Sequence, residues 1–487
     1  MTMREAFIAV RRFGLGARAE EIRAVARDPR GHLLAALDGP PPALPAAAAL
    51  VASDVTLTAD MLARQRVRLA RMADPSQQQP GGPPRARPEA RMAPGMPMDG
   101  GPASAPKPPA AQDRTLGPGP LRRDAFRAEA AARITLAVET TRPYLERLVM
   151  HWSNHFCVSA IKGPLRGIVG AYEREVIRPH VLGRFEDMLR AAVRHPAMLI
   201  YLDNHVSIGP NSRAGQRRRR GLNENLAREI LELHTLGVDG GYTQSDVTAL
   251  ARILTGWTVA GLQRGGAEAG RFRFQPNWHE PGAVTLLGRR FADHGEEAGL
   301  AALRFLAHHP ATARNVCRKL ARHFLGSGAS AAVIGRLEQV FKASDGDLGA
   351  LARTLVGQSG AWGGPPVVLL PPYDFLVAGI RGLALPMKPM EVLRLTNMLG
   401  QPLWSPPSPK GWPDAENAWA APAALRERLR ITERMARLAN PRSDPRSAAS
   451  DILAGGLTDR TREAVARAET RVQALELLLM SPEFQRR

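Results

Sequence analysis

Residues 151–257 carry a dense set of histidine, asparagine, aspartate, glutamate and arginine, the side chains that move protons, hold cations or grip anions. The first group is HWSNHF at 151–156. His151 and His155 are four apart, on one face of a helix, a spacing at which two imidazoles can share a metal ion. Trp152 stands where zinc peptidases carry a glutamate base, and Asn154 and His155 serve equally as a buried hydrogen-bonded pair. Both readings stay open at this point.

YEREVIRPHVLGRF adds Glu173, Arg178 and His180, with Pro179 marking a bend or helix start. HPAMLIYLDN runs an apolar stretch into Asp203 and Asn204, where a turn or cap is the ordinary role and a ligand-holding carboxylate the sharper one. GLNENLAREILELHTLG at 221–237 says most. On a helical wheel Glu224, Arg228 and Glu232 stack four apart, with Asn225 and Glu229 on their flank. Leu222, Leu226, Ile230 and Leu233 fill the apolar arc, and Asn223 and His234 share the opposite edge. A solvated ladder of ion pairs explains the charges at roughly a few tenths of a kcal/mol per pair. A helix sandwiched between others would instead bury these carboxylates, which would then need partners or a cation.

Other polar groups are less specific. Arg217–Arg220 reads as a solvated loop or as an anion-holding lip before a helix. VDGGYTQSD lacks the alternating oxygen ligands of a calcium loop. NWHEPG offers His279 and Glu280. The proline-stiffened stretch 399–419 holds Trp404, Trp412, Asp414 and Trp419, whose indoles could stack on a flat ligand or on proline rings. His308 and His309 precede Pro310 as a helix start.

The elements that must position these groups are mainly helices. Ala and Leu dominate and aromatics are 5% of the 487 residues, a mixture that favours helix over strand. Two short helices are expected over 3–38, broken at Gly14 and Gly16, and another over 56–73. Helical spacing returns from 121 to about 140, and Pro143 restarts it. Further helices are expected at 184–195, 222–236, 244–256, 298–307, 310–325, 329–343, 347–357, 372–383, 389–399, 422–439 and 461–480. Thr243 and Asp246 spell a capping box. RFRF at 271–274 and AVTLLG at 283–288 make one hairpin. Residues 74–120, rich in Pro, Gly, Gln and Ala, bury too little apolar surface to offset ordering entropy and are expected to be a disordered insertion. The expected fold is a large, mainly α single domain with a minor β hairpin: 1–73, the insertion 74–120, and a main helical body 121–487.

The formal charge is +20, yet only six of the 66 cations are lysine, an arginine bias that a GC-rich coding sequence explains. No nucleic-acid-binding motif accompanies the charge, so nucleic acid is not an expected partner. Cys157 and Cys317 make neither a disulfide framework nor a thiolate zinc site and read as buried thiols. No run reaches the ~20 apolar residues that span a bilayer. As written the chain is expected in the cytoplasm, or exported if its true start lies elsewhere.

NHF, IRPHVLGRF, HPAMLIYLDN, GLNENLAREILELHTLGVDGGYTQSDV and LTGWT strongly resemble one bacterial family, the domain of unknown function 1800 family. HPATARNVCRKLARHF and LGQPL followed by GWPD extend the resemblance over the whole chain outside 74–120. It implies a single helical domain and singles out Asn154, His155, Arg178, His180, Asp203, Asn204, Asn223, Glu224, Asn225, Arg228, Glu229, Glu232, His234, Asp239, Thr255 and Trp257, with His279, Gly411 and Trp412. Ser153 stands where relatives often have histidine. The resemblance also implies a sulfatase- or phosphatase-like companion protein, and it names no reaction, cofactor or metal.

Two functions follow. In the first the chain is a hydrolase with His155, His180, Glu224, Arg228, Glu229 and His234 as its catalytic set. Asn154, Arg178, Asp203, Asn204, Asn223, Asn225, Trp257 and Trp412 then form the substrate-binding surface. In the second it is a non-catalytic accessory or scaffold protein, and the same residues are a hydrogen-bond network that fixes helix register.

Overall fold

The start of most helices is set by one or two residues. Asp28, Ser330, Asp347, Asp444, Thr458, Thr470 and Ser481 each accept a backbone N–H of the first turn through their side chains. His195 and His309 cap with a ring nitrogen, accepting from Ala197 and Ala311 at 3.1 Å, with proline at the first helical position. The capping box of Thr243 and Asp246 opens the Gln244–Ile253 helix as expected.

In the computed structural model all residues are described except 1–2, 19–20, 46–49, 74–117, 219–220 and 262–267. The expected insertion therefore falls outside the described residues but for 118–120, which open the Pro118–Glu139 helix. Half of the arginine run, 219–220, lies outside them too. The fold is mainly α with two small antiparallel ribbons. One contiguous apolar core runs from Ala6 to Phe484, with Trp152, Trp257, Phe185 and Phe324 fully buried within it.

Several expectations change in detail. Residues 3–38 hold three helical pieces, Met3–Ile8 continuing as a wider π turn through Ala9–Phe13, then Glu21–Val25 and Pro29–Ala35. The helix expected over 461–480 is two, Asp459–Ala466 and Arg471–Met480, because Thr470 caps a new start. A helix at Pro445–Leu453 has no counterpart in the sequence reading. The single hairpin is also replaced. Phe272–Phe274 pairs with Trp257–Val259, while Val284–Leu286 pairs with Arg289–Phe291. Leu287 and Gly288, both at positive φ, form a two-residue turn that favours the local partner.

The helix expected over 222–236 begins at Asn225 and changes pitch at Ile230–His234, where the Thr235 N–H reaches back five residues to the Ile230 carbonyl at 2.9 Å. Such π turns rotate the side chains that follow. Here the turn ends on His234, buried beneath the Pro143–His155 helix.

Candidate functional site

Two helices supply the centre of the site. Pro143–His155 bears His151 and His155 four apart, and Pro310–Leu325 bears Lys319 and His323 four apart, so each presents its pair on one face. Where the helices meet, the rings of His151 and His323 lie 4.9 Å apart between centroids. The row continues from His151 to His155 at 6.5 Å and from His155 to His234 at 6.2 Å. These four rings are 1–8% exposed.

Hydrogen bonding along the row is incomplete. His155 Nε2 is 3.0 Å from the His234 carbonyl oxygen, and His323 Nδ1 is 3.1 Å from Asp414 Oδ1. His151 Nε2, His155 Nδ1, His323 Nε2 and both ring nitrogens of His234 have no partner among the described residues. A buried polar atom left bare costs about 1–3 kcal/mol, so five in one row point to a place arranged for something other than packing.

Burial sets the charge state. It holds His151 and His155 well below the ordinary imidazole value, helped by the neighbouring His323 and Lys319 respectively. It lowers His234 to about 3. His323 is also lowered by burial, which the Asp414 carboxylate only partly offsets. Burial alone would raise Asp414, but the hydrogen bond and attraction of His323 together with His151 and Arg487 bring it down and keep the carboxyl ionised. The four imidazoles are therefore neutral at pH 7, each with one N–H and one lone pair. Lys319, brought down by burial to about 8, donates to the Leu233 carbonyl at 2.9 Å.

Beside this row lies a cavity of about 90 Å³ with His323 and Asp414 in its wall, and His151 sits behind them in the core. Asn154, Trp404, Trp412 and Tyr373 also line it. The Tyr373 hydroxyl is buried without a partner, and burial keeps it protonated by raising its pKa to about 12. It is thus a free donor facing the same hollow as His323.

The segment carrying Asp414 is tied down along its length. Ala160 N–H donates to the Trp404 carbonyl at 2.8 Å, Ser159 Oγ to Pro406 at 2.9 Å and Cys157 Sγ to Pro409 at 3.1 Å. The Asn154 amide holds both the carbonyl and the N–H of Trp412, at 2.9 and 2.7 Å. Gly411 has φ +82°, and a Cβ there would stand 2.6 Å from Asn154 Oδ1, so glycine is required for this approach.

Of the sequence candidates, His155, His234, Asn154 and Trp412 gather around this centre. The others do not. Arg178 is clamped on Glu146 by two bonds of 2.9 Å, deep in the body, and Arg133 is bound to Glu173 nearby. His180 Nδ1 faces the Val176 carbonyl at 2.7 Å within its own turn. Asp203 meets Lys162 Nζ at 2.5 Å. Asn204 donates to the Leu254 and Trp257 carbonyls, and the Trp257 indole is wholly buried against Phe272. Asn223 Oδ1 accepts from Asn225 N–H at 2.9 Å, a turn ahead of the helix. Glu224, Arg228, Gln244 and Thr248 form a hydrogen-bonded ladder on the outer surface. Glu229 is half-buried, its carboxyl raised by burial and then by Glu232.

Sequence reasoning missed His323 and gave Asp414 no role beyond its loop. Ser53, Glu175 and His195 resemble a catalytic triad in composition only. Ser53 Oγ and Glu175 Oε2 meet the same nitrogen, His195 Nε2, at 3.2 and 3.1 Å, while Nδ1 caps a helix. The ring thus cannot relay between them.

The family model described as a protein of unknown function (DUF1800) matches residues 8–486. No curated protein matches the chain, and no solved structure does.

Proposed function

Since the chain belongs to the DUF1800 family, whose description carries no activity, we propose a function from the site alone: hydrolysis of a small carboxylic ester, with water activated at His151, His323 and Asp414. One observation carries this reading. Asp414 fixes the His323 tautomer through Nδ1; the His323 Nε2 and that of the adjacent His151 have no partner among the described residues, and His323 and Asp414 line a cavity.

The chemistry follows from those groups. A neutral imidazole pair held by a carboxylate orients a water molecule and draws its proton as it attacks the acyl carbon. The Tyr373 hydroxyl donates to the carbonyl oxygen as negative charge develops there. The alkoxide leaving group takes the proton back, and acid and alcohol depart. The aromatic walls of Trp404 and Trp412 suit a small apolar acyl group.

A second reading has its own support for other residues. Arg178, Asn204 and Asn154 direct most of their hydrogen bonds to Glu146, the Trp257 strand and the Trp412 loop, as a structural network would, although Arg178 Nε and Asn204 Oδ1 have no partner among the described residues. For them the framework role is the better one, and a protein with framework alone would be an accessory or scaffold.

The deciding experiment is a screen of short-chain nitrophenyl and methylumbelliferyl esters with the purified chain. Turnover abolished in Tyr373→Phe and Asp414→Asn variants of unchanged circular dichroism is the expected result. A silent wild type over the whole panel, or variants as active as it, removes the hydrolase reading and leaves the framework.

A further inference from the structure

The three groups at the centre of the site are a donor set in their own right. One ligand atom from each of His151, His323 and Asp414 lies within 4.8 Å of the others. Four-coordinate zinc with bonds near 2.1 Å holds its ligands roughly 3.4 Å apart, so the side chains need to close by about an ångström. Two neutral imidazoles and one carboxylate are the ligands such an ion takes, with the fourth position left for water. His151 and His323 each have a buried Nε2 without a partner among the described residues and each is held on a helix; Asp414, bonded to His323 Nδ1, would have to turn from that nitrogen to join an ion held at Nε2. Asp414 is 39% exposed, which opens a route in from solvent.

We propose that His151, His323 and Asp414 bind a divalent first-row transition ion, zinc foremost. This deepens the hydrolase reading and rests on it for its purpose: with the ion bound, the imidazole lone pairs go to the metal, which would take over water activation from them by lowering the pKa of its bound water. His155 and His234 are excluded from the ligand set because they belong to no group of three His, Cys, Asp or Glu ligand atoms close enough to share an ion among the described residues. Lys319 and Arg487 add positive charge nearby, part of which Asp374 takes up at 3.9 Å from Arg487 Nε. Affinity is therefore lower than that of an all-anionic site.

The test uses the full chain stripped with a chelator and titrated with cobalt(II). The expected result is one equivalent bound, with visible ligand-field bands of a four-coordinate ion that zinc abolishes in competition. Zinc should also raise the Tm of the stripped protein. His151→Gln, His323→Gln and Asp414→Asn should each weaken cobalt binding by on the order of 100-fold or more, while His234→Gln leaves it unchanged. A wild type that gives no bands and no zinc-dependent rise in Tm overturns the proposal, as do ligand variants that bind like wild type. Should a variant fail to fold, X-ray absorption of the zinc-loaded wild type decides, two imidazoles per ion supporting the site and none refuting it. Metal binding without ester turnover upholds the site and removes hydrolysis. Turnover by a chain that takes up no metal does the reverse.

Discussion

His151 and His323 come from helices far apart in the chain, yet their rings stand 4.9 Å apart and neither Nε2 has a partner among the described residues. Asp414, from a third segment, completes the group through His323 Nδ1. Three independent elements thus converge at one point beside a cavity that His323 and Asp414 line, and the consequences can be measured.

Asp414→Asn replaces a carboxylate acceptor with an amide that can present its N–H to His323. The imidazole loses its orienting charge, and ester turnover should fall roughly 10²–10⁴-fold. KM should move little, because the aromatic walls remain. Steady-state kinetics beside a thermal melt separates this from unfolding.

The buried, neutral histidines tie stability to pH. The folded pKa of His234, about 3, lies below the ordinary imidazole value, and His155 is lowered in the same direction by burial. Above about pH 6.5 both states carry neutral rings, and the stability contribution is fully present. As pH falls below that, the unfolded chain takes up protons the folded chain refuses, and each ring removes up to ~1.4 kcal/mol per pH unit. The loss ends only when the folded pKa is passed. Urea titrations at pH 7.5, 6 and 5 should show this fall, and His234→Phe should flatten it. An unchanged slope in that variant would mean the ring is solvated.

Arg178 and Glu146 form a buried, two-bond pair. Removing Glu146 leaves Arg178 only Glu173, 3.5 Å away and already bound to Arg133, so Glu146→Gln should destabilise by about 3 kcal/mol. Arg178→Met together with Glu146→Leu should recover much of that. Chemical denaturation of the single and double variants checks both.

Glu224 and Arg228 belong to a surface ladder, 3.4 Å apart. Arg228→Ala should change stability by less than about 1 kcal/mol and leave ester turnover intact. A large loss of turnover with normal folding would bring this helix face into the active site.

Cys157 is buried, its pKa pushed up to about 12, and Cys317 is raised by burial as well. Neither should react with a disulfide reagent at pH 8 in the native protein, and both should react in denaturant. Rapid native labelling of Cys157 would show that the loop over it opens.

The sequence by itself determined the helices, because capping side chains, prolines and the apolar spacing act within a few residues. His309-Pro310 reads as a start for this reason, as does the box of Thr243 and Asp246, whereas the Pro196–Tyr201 helix reads from sequence only as an apolar run. It also determined the ladder of Glu224 and Arg228, since four-residue neighbours meet on any helix. Strand pairing went otherwise, since Phe272–Phe274 found its partner in Trp257–Val259 beyond the reach of a local pattern. What only the tertiary structure decided is which polar residues share a site. His155 was visible beside His151, but nothing local distinguishes His323 from other helical histidines or Asp414 from a loop acid. Their meeting depends on how two helices and a tethered loop pack. The π turn that buries His234 likewise depends on surroundings that reward a change of pitch. Burial, a property of the whole fold, is what makes these rings neutral and leaves their nitrogens bare.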